Sequence, residues 1–68
     1  MRKKNFTIRR IYAGKVEDVH LRGLTLEYVR EIANNDVEAL RAKYGEPING
    51  DWSVDIIDSV TEKSYGLE

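Results

Sequence analysis

A two-residue alternation of apolar and polar positions governs both ends of this chain, and a helical period governs its middle. The segments NFTIRRIY (5–12) and KVEDVHLR (15–22) are rich in β-branched and aromatic residues and flank Ala13-Gly14. That is the pattern of two strands joined by a tight turn. A two-residue turn at this point pairs Phe6 with Leu21, Ile8 with Val19 and Arg10 with Glu17 on one face. The other face then pairs Thr7 with His20, Arg9 with Asp18 and Ile11 with Val16. Two apolar pairs share a face and both arginines meet an acid, an agreement that a one-residue slip destroys.

The middle segment GLTLEYVREIANNDVEALRAKYGEP (23–47) places Leu26, Val29, Ala33, Val37, Leu40 and Tyr44 at steps of three and four, with Ile32 beside them. This spacing predicts an amphipathic helix. Thr25 suits the N-cap, Leu24 and Val29 suit a hydrophobic staple, and Glu27 favours the positive helix start. Gly45 suits the C-cap, and Pro47 bars continuation. The triplet Asn34-Asn35-Asp36 either divides the segment or bends it at 34–36. The apolar phase runs unbroken from Ala33 to Val37, which favours one helix.

Asn49-Gly50 then turns the chain into GDWSVDIIDSV (50–60), where Trp52, Val54 and Ile56 alternate with Ser53 and Asp55. Ile57 and Asp58 break that phase. A regular strand to about Val60 turns Ile57 away from the helix, whereas a bulge at Ile56-Ile57 returns it inward and exposes Asp58. Ile11 and Val16 are also apolar on the face away from the core, which favours the regular strand. Residues 62–68 carry no clear pattern and are expected to fray.

The resulting expectation is an α+β domain spanning residues 1–68, ordered β-β-α-β, with residues 1–4 as a basic arm. Its three-stranded antiparallel sheet has the order 2-1-3 and carries one helix on one face. The other face meets solvent or a partner. It displays Ile11, Val16 and Ile57 among Arg9, Asp18, Asp55 and Thr7, expected as an apolar centre with a charged rim.

Composition removes most alternatives. A 68-residue chain is one domain with a modest core, so packing or oligomerisation has to supply its stability, and a homodimer is a candidate. With no Cys and one His, disulfides and thiolate zinc sites are excluded, and no metal or cofactor is expected. His20 is the single imidazole, and Ser53, Ser59 and Ser64 lack a glycine elbow or a second histidine. Asp55 and Asp58 face opposite ways on a regular strand. A non-enzyme is expected. No apolar run approaches the roughly 20 residues of a membrane span. The basic start has no apolar stretch behind it, so no membrane partner and a cytoplasmic location are expected.

Charge is unevenly spread. Residues 1–15 hold Arg2, Lys3, Lys4, Arg9, Arg10 and Lys15 without an acid, while residues 51–68 hold Asp51, Asp55, Asp58, Glu62 and Glu68 against Lys63. On one reading this asymmetry marks a nucleic-acid arm or an acidic mimic; on a second, two sheet neighbours neutralise each other. The second reading is favoured, because Arg9 and Arg10 already have acidic partners and the sequence pI is only about 5.8.

The step Gly23-Leu24-Thr25-Leu26 into the helix, between a hairpin and a Trp-bearing strand, resembles small phage-encoded proteins. The order of elements is similar to that of a small phage inhibitor of uracil-DNA glycosylase and to some anti-CRISPR proteins. The inhibitor resemblance implies a non-enzymatic dimer that fills a DNA-binding groove with acidic and apolar side chains. Here those would be Asp51, Asp55, Asp58 and Glu62, with Ile57 between them. The basic amino-terminal end departs from a DNA mimic and points to blocking of some other host protein.

The expected function is therefore a protein-binding module, a small phage or mobile-element inhibitor of a host defence or DNA-processing protein. Ile11, Val16, Ile57, Asp55, Arg9 and Asp18 would contact the host protein or a second copy. The alternative is a nucleic-acid-binding accessory protein that uses Arg2, Lys3, Lys4, Arg9 and Arg10.

Overall fold

The hairpin forms in the register that its side chains dictate. In the computed structural model, which describes residues 3–67, β1 (Lys4–Tyr12) pairs antiparallel with β2 (Lys15–Leu24). Phe6 faces Leu21, Ile8 faces Val19, Arg9 faces Asp18 and Ile11 faces Val16. Ala13 and Gly14 have φ of 49° and 74°, the paired left-handed conformations that let a two-residue turn follow the strand twist. Towards the other end, β2 contains one more residue than β1 between the pairs Phe6↔Leu21 and Lys4↔Leu24. Gly23 absorbs this bulge with φ 65°, and its N–H donates to Asn5 Oδ1 at 3.1 Å. The bulge lets Leu24 pack against the core just before the helix begins.

One uninterrupted helix, α1 (Leu26–Tyr44), follows. Thr25 is extended and its Oγ1 accepts the Tyr28 N–H at 3.3 Å. At the other end Gly45 has φ 81° and donates its N–H to Arg41 O at 2.8 Å. The triplet at 34–36 does not divide the helix. Asn34 and Asp36 direct their side chains to other parts of the fold, Asn34 to Leu67 O and Asp36 to Arg10, so they do not compete for the helix backbone.

A single 3₁₀ turn (Ile48–Gly50) leads to β3 (Trp52–Asp58), which pairs antiparallel with β1 on the side away from β2. β3 is regular. Trp52, Val54, Ile56 and Asp58 are buried, while Ser53, Asp55 and Ile57 face the other way. No bulge returns Ile57 to the core.

The sheet has four strands rather than three. Within the tail expected to fray, Ser64–Tyr65 forms β4 and pairs with Ile57 and Ile56, giving the order β2-β1-β3-β4. Packing holds it there. The Tyr65 ring stands edge-on to Phe6 with centroids 6.0 Å apart, and Leu67 packs against the core. Arg30 Nε and Asn34 Nδ2 donate to the Gly66 and Leu67 carbonyls at 2.9 and 3.1 Å.

The core is Phe6, Ile8, Val29, Ala33, Leu40, Trp52, Val54 and Ile56. α1 lies mainly over β3 and less over β1. Trp52 Nε1 donates to Gly45 O at 2.8 Å, tying the end of the helix to the start of β3. No helix among the described residues is long and apolar enough to cross a membrane.

Two substitutions test this packing. Ala13 carries a Cβ in a left-handed conformation that Asn tolerates better, so Ala13→Asn should raise unfolding free energy by about 0.5–1 kcal/mol. Ile56→Ala removes a wholly buried side chain and should lower it by about 3 kcal/mol. Urea titration followed by Trp52 fluorescence measures both.

Candidate functional site

The strand register carries Ile11, Val16, Ile57, Asp55, Arg9 and Asp18 onto the sheet face that α1 leaves open. They form rows across the strands. One row reads His20, Thr7, Ile57 and Ser64; the next reads Asp18, Arg9 and Asp55; the last reads Val16, Ile11 and Ser53. The expected apolar centre with a charged rim is thus inverted. The charges form the middle, and apolar groups stand on either side. The cause is the two-residue period, which sets Arg9 midway between Thr7 and Ile11. Four residues of strand put Ile57 roughly 14 Å from the Ile11–Val16 pair.

Arg9 organises the central row. Its Nε and Nη2 reach the two Asp18 oxygens at 2.9 and 3.2 Å, a two-pronged contact. This hydrogen bonding raises the Arg9 pKa and holds the Asp18 carboxyl below the usual range. Asp55 faces Arg9 from the other flanking strand and adds a weaker attraction. Val16 is 62% exposed, whereas Ile11 and Ile57 are half-buried.

Beside Ile57 lies a hollow of about 340 Å³ that also meets Thr7, Arg9, Asp18, His20, Ser59 and Glu62. Thr7 Oγ1 lies 3.0 Å from His20 Nδ1 and 3.0 Å from Ser59 Oγ, and the residue is buried beneath them. His20 is therefore a cross-strand partner of Thr7, as the hairpin register anticipates. Ser59 reaches Thr7 and not the imidazole, so the three side chains form a chain with the Thr7 hydroxyl in the middle. Among the described residues no cluster of three His, Asp or Glu side chains is placed to hold a metal ion. Ser59 and Glu62 enter this hollow only because the β3–β4 turn folds back. That placement has no signature in the sequence.

Asp58 is the out-of-phase residue at the end of β3, and its burial has a plain cause. One carboxylate oxygen accepts the Val60 and Thr61 N–H groups at 2.8 and 3.1 Å, and the other lies 3.7 Å from Lys4 Nζ. Around it, Asp58 N–H donates to Lys63 O, Glu62 N–H to Asp58 O, and Ser59 N–H to Asn5 O. These bonds shape the turn from β3 to β4, which closes with Glu62 at φ 61°. The backbone donors from Thr61 and Val60, aided by Lys4, hold the carboxyl below the usual range despite its burial. Asp58 is therefore not a surface acid. Of the four acids that the inhibitor resemblance implies, Asp51, Asp55 and Glu62 are exposed.

The basic residues are largely engaged. Arg9 is held by Asp18, Lys4 lies against Asp58, and Arg10 reaches Glu17 at 3.5 Å and Asp36 at 3.3 Å. Lys3 is exposed, and Arg2 lies outside the described residues. β1 sits beside β3, yet among the described residues Lys4–Asp58 is the one ion pair between them; Arg9 and Arg10 are balanced instead by Asp18 and Glu17 of β2 and Asp36 of α1. No protein-family model, curated protein or solved structure matches this chain. The described residues form a four-stranded α+β module with one helix-covered face and one bare face.

Both depressed carboxyls stabilise the fold above their ordinary value of 3.8, and that contribution disappears as pH falls through the folded values. The thermal midpoint should hold from neutrality to about pH 5 and drop below about pH 4. Asp58→Asn should make that acid limb shallower. Asp58→Ala should lower the neutral-pH midpoint by at least several degrees, read by circular dichroism.

Proposed function

We propose that this chain is a non-catalytic protein-binding module whose bare sheet face is the recognition surface. The observation that carries the reading is the common placement of Ile11, Val16 and Ile57 on that face, around the row Asp18–Arg9–Asp55. An open antiparallel face can be wholly polar without loss to the fold. Half-buried and exposed aliphatics there serve contact better than they serve the core. The flat charged row sets orientation, and the aliphatics on either side supply area that excludes water.

Such a module acts by occupying a surface of another protein. With the resemblance to small phage inhibitors, the reading becomes a phage or mobile-element inhibitor of a host defence or DNA-processing protein. The nucleic-acid alternative has weaker support, because Lys4, Arg9 and Arg10 already face carboxylates.

Ile57→Lys tests the face. Ile57 is outside the buried core, so the thermal midpoint should stay within a few degrees while capture of a host protein is lost. Unfolding of the variant, or capture undiminished by it, would count against the reading. Duplex or single-stranded DNA retained at low salt, and released steeply as salt rises, would favour the alternative.

A further inference from the structure

β2 is a long strand, and among the described residues no strand pairs with its outer side. It forms one edge of the sheet, and β1 occupies its other side. In a hairpin closed by a two-residue turn, the pair flanking the turn exchanges both hydrogen bonds, and pairs then alternate. Tyr12↔Lys15, Arg10↔Glu17, Ile8↔Val19 and Phe6↔Leu21 are accordingly the bonded pairs. Val16, Asp18 and His20 turn their backbone N–H and C=O groups outward, as a template for a further strand.

We propose that a second copy of this chain occupies that edge, β2 against β2, antiparallel about a two-fold axis passing beside His20. The two sheets then join into one of eight strands, with both helices on the same side. This rests on the protein-binding reading and narrows one partner to the chain itself.

The register follows from the side chains. A two-fold axis normal to the sheet keeps the same face up in both copies, so residues of like parity meet. Centring on Asp18 opposes two aspartates, and centring on Val19 sets Glu17 against Leu21. Centring on His20 sets Asp18 against Arg22 of the second copy, and Val19 against its Leu21, each twice. On the open face, the row Asp55–Arg9–Asp18 gains Arg22 of the second copy and alternates in sign along its length. On the helix side, Val19 and Leu21 are half-buried, because α1 lies over β3 and β1, and this register covers each with the other. Charges on an edge strand commonly keep it solitary; here they complement their own symmetry mates.

Sedimentation equilibrium of the full chain from about 5 to about 500 µM tests the pairing, since one strand edge is a small interface of micromolar class. A monomer–dimer equilibrium is expected. Arg22→Glu, at an exposed position, should weaken it roughly tenfold or more by opposing acids twice. His20→Pro removes an outward N–H without touching the β1 ladder and should abolish the dimer, with circular dichroism confirming a folded monomer. A monomer at every concentration overturns the proposal. So does a dimer indifferent to Arg22→Glu but dispersed by Ile57→Lys, a result that would leave the bare-face reading standing.

Discussion

β1 is bonded to a strand on each side, and its two-residue alternation is copied outward through both ladders. Phe6, Ile8 and Tyr12 turn towards α1, and their neighbours in register do the same: Leu21, Val19, Ile56 and Trp52. Thr7, Arg9 and Ile11 turn the other way and carry His20, Asp18, Val16, Ile57, Asp55 and Ser53 with them. Core and bare face are therefore two readings of one nine-residue strand. A slip against either neighbour would mix the two sets and leave charges under the helix.

That dependence explains what the sequence made legible. The hairpin register followed from local pairing, because apolar residues met apolar ones and arginines met acids in a single alignment. The helix and its caps followed from Thr25, Gly45 and an unbroken apolar stripe. The regular course of β3 followed from two separate outliers, Ile57 and the Ile11–Val16 pair, which made sense only on a common face. These signals are short-range or repeated, so a pattern could carry them.

Other features depend on contacts between distant residues, each made once. β4 is two residues long and is held by Phe6, Arg30 and Asn34, none of which marks Tyr65 as a strand residue. Asp58 is a polar residue on an apolar face, and the two N–H donors that satisfy it come from the turn beyond it. Arg10 bridges sheet and helix through Asp36. The order of rows on the bare face was computable from the register, yet adjacency on one face suggested an apolar centre where alternation requires a charged one.

The position of β1 also sets an order on assembly. Its pairing with β2 joins chain neighbours across a two-residue turn, while its pairing with β3 joins residues from opposite ends of the chain. Loop-closure entropy ranks the first ahead of the second. Until β3 arrives, the hairpin has two vacant edges, and the one along β1 is bordered by the residues that will become the core. α1 rests mainly on β3 and less on β1, so the helix gains most of its seat only when β3 pairs, and the same event covers the β1 edge. The last strand to pair is thus the one that both seats the helix and removes an open edge beside the core.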